Sequence, residues 1–162
     1  MTRLAAPTTV GELMAIEPIV LGVNLPLDEA AEVLDRHRIS GAPVVDASGS
    51  LVGVLSQIDL VRARSTEYLW ANWQGLAVRH LMTTPPVTVQ RSTPIVLAAA
   101  RMERHHVHRL VVVADDDATL PIGILSATDL VHAIAETHRQ SSPKALDAPD
   151  APDAAPGGAS DA

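Results

Sequence analysis

A chain of 162 residues that is 47% hydrophobic but only 2% aromatic has enough Val, Leu, Ile and Ala to bury a sizeable core, and is most simply one domain of ordinary size. It contains no cysteine, which excludes disulfides, thiolate nucleophiles and Cys-ligated zinc or iron–sulfur sites. A formal net charge of −7 argues against a general nucleic-acid binder, which needs a basic face. With no long apolar run and no basic-then-apolar leader, neither a membrane span nor a secretory signal is predicted, and a cytoplasmic setting is expected.

After an N-terminal extension over 1–7, Val10-Gly11-Glu12-Leu13-Met14 reads as a short helical turn. An extended segment follows from Pro18 to Leu21. Pro26 then stands where a helix begins, and Leu27 to His37 places Leu27, Ala30, Ala31 and Leu34 on one face. Gly41-Ala42-Pro43 signals a turn into a strand at Val44-Val45, because Pro43 fixes one backbone angle and removes a donor. Asp46 to Ser50 is the polar, Gly-containing punctuation of a hairpin, Leu51 to Leu55 is the returning strand, and Ser56-Gln57-Ile58-Asp59 opens a helix.

The same order then recurs. Val78 to Met82, Pro86 to Val89, Pro94, Ile95 to His105, Leu110 to Val113, the hairpin Asp115 to Thr119, Ile122 to Leu125 and Ser126 to Asp129 match the first set at an offset of 68, which becomes 70 after the hairpin. A displacement this regular is an internal repeat of two β-α-β-β-α units. One unit alone is too one-sided to bury its sheet, so the fold expected is α+β, a single domain of two repeats packed around a pseudo-twofold axis. The boundaries read as 8–65 for the first repeat, 66–77 for a linker holding Tyr68, Trp70 and Trp73, and 78–138 for the second. The linker aromatics either pin it over the core or meet a partner. From 139 to 162 the chain is mostly Ala, Pro, Asp, Gly and Ser, too poor in apolar surface to offset the entropy of ordering, and reads as a disordered tail.

These strings, with V-G-E-L-M, I-S-G-A-P-V-V-D and G-V-L-S-Q-I-D-L answered by V-R-H-L-M, V-H-R-L-V-V-V and G-I-L-S-A-T-D-L, resemble a tandem pair of CBS domains, the arrangement called a Bateman module. Val107 to Val113 is also similar to a repeat in the gamma subunit of the AMP-activated protein kinase. The resemblance implies a non-catalytic regulatory module binding AMP, ADP, ATP or S-adenosylmethionine in two clefts between the repeats. It implies no prosthetic group, with Mg2+ entering only alongside ATP. Each cleft would draw on both halves, Ser126, Thr128 and Asp129 facing Ile19 and Ile39, Ser40, Gly41, Ala42, and Ser56, Ile58 and Asp59 facing Val87, Val107 and His108. The backbone from Ile39 to Pro43 would lie against adenine, and His108 and Arg109 would meet phosphate.

The residues themselves leave alternatives open. Ser56-x-x-Asp59 and Ser126-x-x-Asp129 are good helix caps whether or not they bind anything, yet a carboxylate in a cleft also accepts two ribose hydroxyls, and a Ser hydroxyl with helix N-terminal amides suits phosphate. Arg104-His105-His106-His108-Arg109 suits a helix C-terminus equally well, and a metal site from His105, His106 and His108 lacks an acid to complete it. Arg109 replaces the first repeat's Gly41, and Arg suits a bidentate phosphate contact, so the clefts are expected to differ. Leu60, Val61, Leu130, Val131, Ala133 and Ile134 form an apolar stripe compatible with the homodimer that the resemblance implies, and an effector protein would read the change. A structural module with empty clefts is the competing reading. No nucleophile elbow, P-loop or glycine-rich dinucleotide loop is present, which argues against an enzyme.

Overall fold

The computed structural model describes residues 9–66, 71 and 73–141. Tyr68 and Trp70, the extension at 1–7 and the tail from 142 onward lie outside the described residues. In chain order come α1 (Val10–Leu13), β1 (Ala15–Ile16), β2 (Leu21–Gly22), α2 (Leu27–Arg36), β3 (Gly41–Val45), β4 (Leu51–Ser56) and α3 (Gln57–Arg64). Short 3-10 turns at Trp73–Gly75 and Val78–His80 lead into β5 (Thr88–Gln90), α4 (Ile95–His105), β6 (Arg109–Val113), β7 (Pro121–Ser126) and α5 (Ala127–Ser141). The last helix carries ordered backbone to Ser141, past the boundary at 138 expected for the second repeat.

The elements form two sheets, β2-β3-β4 and β1-β7-β6-β5, each with a parallel pair (β2 with β3, β5 with β6) followed by an antiparallel hairpin. Pro43 stands in the middle of β3 rather than at its start, opposite Val54. This is tolerated because β2 pairs only with Val44 and Val45, so no neighbour asks for the amide hydrogen that proline lacks. Both hairpins bulge one residue before the turn, at Val44/Val45 and at Val112/Val113. In the first turn the Asp46 carboxylate accepts from the Ser48 amide at 2.8 Å, the Ser48 hydroxyl at 2.6 Å and the Ser50 amide at 3.1 Å. Asp117 does the same for Thr119. Those hydroxyls, and then the amides, hold both carboxyls below the ordinary carboxylate range.

Two apolar cores result, and each crosses the repeat boundary. One gathers Val89, Ala98, Met102, Leu110, Val112 and Leu125 of the second repeat with Val10 and Met14 of the first. The other gathers Leu21, Ala30, Leu34, Ala42, Val44 and Leu55 of the first with Val78 of the second, flanked by Leu81 and Met82. The opening segment of each repeat has therefore changed places. The exchange is also written in hydrogen bonds: β1 pairs with β7 through Ala15 and Ile124, and Thr83 bridges Val54. Backbone amides of Val10 and Gly11 donate to Thr93 and Arg91, and those of Val78 and Arg79 donate to Leu25 and Val23. The halves interlock, so the seams between them are set by covalently exchanged chain and not only by surface complementarity.

Among the described residues no helix is long and apolar enough to cross a membrane. Trp73, the described aromatic of the linker, donates its indole N–H to Asp28 at the start of α2, and the Arg64 guanidinium lies 5.9 Å from its ring centroid. That part of the linker is pinned to the first sheet's helix.

Candidate functional site

The two Ser-x-x-Asp motifs fold identically. Each Ser ends a strand and caps the next helix: the Ser56 amide and hydroxyl donate to Asp59 Oδ2 at 2.8 and 2.6 Å, and those of Ser126 donate to Asp129 Oδ2 at 2.7 Å each. The Asp129 amide returns a bond to Ser126 Oγ at 3.2 Å. Such caps contribute about 1 kcal/mol of helix stability. In both motifs one carboxylate oxygen is occupied by the cap, while Oδ1 accepts no hydrogen bond from any described residue. A half-buried carboxylate fixed by one oxygen and open at the other is a preorganised acceptor for a hydroxyl-bearing ligand.

Asp59 opens onto a cleft of about 490 Å³, within the range of small-molecule sites. Ser56, Ile58, Val87, Val107 and His108, grouped with it from the sequence, line it together with Arg109, expected to meet phosphate; Ser40, expected opposite Asp129, lines this cleft instead. Its floor at Val87 and Val107 is half-buried and apolar; its rim is basic. Arg109 reaches across the seam to donate to Ser40 Oγ at 2.9 Å. The space it takes is the space that Gly41 leaves: a Cβ on Gly41 would stand 2.0 Å from Arg109 Nη1. Since Gly41 and Arg109 are equivalent positions of the repeat, the arginine of one half lies over the glycine of the other. Burial lowers the Arg109 guanidinium from its usual value, and the nearby Asp59 charge works in the opposite direction.

On the other side, Thr128 is exposed, Asp129 and Ser126 are half-buried, and Ile19 and Ile39 are half-buried. Arg109 is the strand partner of Ser126, as Gly41 is of Ser56, so each position stands beside the Ser-x-x-Asp motif of its own repeat. Ser40 lines the Asp59 cleft, where its hydroxyl accepts from Arg109, and not the Asp129 side on which it was expected. Ala42 and Pro43 are wholly buried in the sheet, and Ala42 belongs to the core, which leaves their side chains no surface for a ligand. Any role for them is through backbone. Among the described residues no three His, Cys, Asp or Glu side chains stand close enough to hold a metal ion, and His105 is not among the residues lining the cleft.

The cleft also contains residues that sequence reasoning passed over, namely Val54, Gln57, Arg62, Thr83 and Pro86, and His106, which it weighed only as a helix-end cation or metal ligand. Arg62 carried a signal: it stands three residues beyond Asp59 on the same helix, and so on the same face. His106 takes a left-handed backbone conformation with φ of 53° just past the end of α4, which turns the chain into the cleft, and Arg38 does so at the equivalent place.

A profile of the CBS domain matches residues 10–66 and 78–136. The chain is 34% identical over 128 residues to a homoserine O-acetyltransferase of Methanocorpusculum labreanum; the match takes in 79% of this chain but only 24% of that protein. It is similar in structure to CBSX2 in complex with AMP, with a TM-score of 0.69, 31% identity, and coverage of 82% of this chain and 100% of the other. It is also similar to the CBS domain pair of protein MJ0100 in complex with 5′-methylthioadenosine and S-adenosyl-L-methionine, with a TM-score of 0.72, 26% identity, and coverage of 81% and 99%.

Proposed function

The chain belongs to the CBS domain family as a tandem pair, and on that premise we propose that it is a regulatory module whose clefts hold adenosine-containing ligands. Two of its structural relatives hold such ligands, AMP in one and S-adenosylmethionine with methylthioadenosine in the other. The observation that carries the reading is the Asp59 cleft: apolar Val87 and Val107 for a purine, a carboxylate whose Oδ1 accepts no hydrogen bond from the described residues for ribose hydroxyls, and His108 and Arg109 for phosphate. Asp129, capped in the same way, serves the second cleft with Ser126, Thr128, Ile19 and the backbone from Ile39 to Pro43. We read the chain as non-catalytic. The acetyltransferase relative leaves three quarters of its length outside the match to carry its named activity. Mg2+ belongs to the site only as a companion of ATP.

The test is a panel of adenosine, AMP, ADP, ATP and S-adenosylmethionine followed by thermal unfolding and calorimetry. A ligand at 100 times its Kd is expected to stabilise the fold by about 2.7 kcal/mol, a resolvable shift in Tm for a domain of this size. Asp59→Ala and Asp129→Ala are each expected to abolish one cleft's share of that shift, with Asp46→Ala, which removes a turn carboxylate that does not line the Asp59 cleft, as the control. Binding that survives both Asp variants would remove the site assignment, and a panel with no binder at all would favour a structural module with empty clefts.

Signalling needs a surface that changes. On α3 and α5, Val61, Val131 and Ile134 are 61%, 61% and 69% exposed, whereas Leu60 and Leu130 turn inward to the two cores. We read the exposed set as a homodimer face, and the ligand as shifting the population between dimer arrangements that an effector protein reads. A Val131→Asp, Ile134→Asp variant is expected to sediment as a monomer; a variant that stays dimeric would place the contact elsewhere.

A further inference from the structure

The Asp59 cleft is basic on both walls, although the chain as a whole carries −7. Arg109 stands on β6, tethered to Ser40 of the other half. Arg62 stands on α3, one helical turn beyond Asp59, and also lines the cleft. A single phosphate is satisfied by one guanidinium, which grips two of its oxygens in a fork. Two guanidinium groups on separate walls, flanking a ribose acceptor, suit an anion longer than one phosphate. The repeat supplies an internal contrast: the positions equivalent to Arg109 and Arg62 are Gly41 and His132, so neither arginine has a counterpart for the Asp129 motif.

We infer that Arg62 and Arg109 together make the Asp59 cleft selective for adenosine polyphosphates over AMP and over the cationic S-adenosylmethionine, with Arg62 the residue that distinguishes a second phosphate from the first. This rests on the nucleotide-binding reading above and sharpens it. Arg109, partly desolvated and tethered to Ser40, meets the phosphate nearest the ribose. Arg62, exposed on α3, meets the next one along. Solvent screening of Arg62 makes its contribution salt-dependent, whereas that of Arg109 is less so.

The experiment is calorimetric titration of adenosine, AMP, ADP, ATP and S-adenosylmethionine into the full chain carrying Asp129→Ala, so that the Asp59 cleft is observed alone, at low and at high ionic strength. Two-site fits to the unaltered chain serve if that variant does not fold. ADP and ATP are expected to bind at least ~10-fold more tightly than AMP, since a charge-assisted hydrogen bond contributes ~1.5–3 kcal/mol and ~1.4 kcal/mol is tenfold. Arg62→Gln is expected to remove that ADP-over-AMP preference while leaving adenosine and AMP unchanged, and to flatten the salt dependence. Equal affinities for AMP and ATP, or an Arg62→Gln loss spread evenly over adenosine, AMP and ATP, would overturn the inference and leave the nucleotide reading standing. Failure of adenosine and every nucleotide to bind the unaltered chain would overturn the nucleotide reading and the inference with it.

Discussion

Gly53→Val and Gly123→Val are expected to lower the midpoint of urea unfolding steeply, by about 1–3 kcal/mol for each site and more if the exchanged segments come loose together. A valine in a strand normally gains up to about 1 kcal/mol over glycine through β-propensity and packing. Here the sign reverses. A Cβ at Gly123 would stand 2.8 Å from the Ala15 carbonyl oxygen and 2.8 Å from Met14 Sδ; at Gly53 it would meet Met82 Sδ at 2.8 Å and the Thr83 carbonyl oxygen at 2.9 Å. The methionines are flexible enough to swing away, but the carbonyls belong to the segments that cross between the halves and pair there with β7 and β4. Relief therefore means pushing the crossing segment off its sheet, which uncovers Val10 and Met14 in one case and Val78 and Met82 in the other. Against a typical total of about 5–15 kcal/mol, the double variant would stand near the edge of stability. An unchanged urea midpoint would mean that the crossing contributes little.

How much of this was legible in the sequence follows from what a repeat does and does not encode. The hairpins, the helix from Ile95 to His105 and both Ser-x-x-Asp caps could be read because each depends on local pattern: 3.6-residue periodicity, turn residues, or a Ser three residues before an acid; the two-residue β1 at Ala15–Ile16 was not, and β2 begins at Leu21, the last residue of the extended segment expected from Pro18. The equivalence of Gly53 and Gly123 was legible too, but not its reason. The repeat shows that Val10 and Met14 are equivalent to Val78 and Met82 and is silent on which half packs them, since an opening segment presents the same apolar face to its own sheet or to its twin's. Pro43 misled slightly for a related reason: it looks like a strand boundary until the brevity of β2 is known. In the cleft, Arg109 was legible as the residue that breaks the repeat's symmetry at Gly41. Arg62 was passed over although its spacing from Asp59 placed it on the same helix face, because beside Arg64 on a short helix it reads as an ordinary solvated charge until the fold brings β6 and Ser40 against the same opening.

That broken symmetry is the most direct handle on whether the two clefts proposed for this fold differ. Gly41→Arg alone is expected to destabilise the chain by about 1–3 kcal/mol, because its Cβ would fall 2.0 Å from Arg109 Nη1 and 2.8 Å from the Leu55 carbonyl oxygen, and because two guanidinium groups would then share one seam. Arg109→Gly alone opens space, removes the Ser40 contact and is expected to cost little stability, since the half-buried guanidinium it deletes carries a desolvation penalty of its own. The exchange of both is the informative variant. If Arg and Gly matter only through their mutual fit, Gly41→Arg with Arg109→Gly recovers much of the lost stability, with a coupling of about 0.5–3 kcal/mol in a double-mutant cycle read by urea unfolding. The exchanged arginine then projects from β3, across the seam toward the Asp129 motif, and the preference for phosphorylated ligands is expected to move with it from one Asp variant's cleft to the other's. Additive losses in the cycle, together with a nucleotide preference that stays at Asp59, would show that the asymmetry is held by the walls of the cleft and not by this pair.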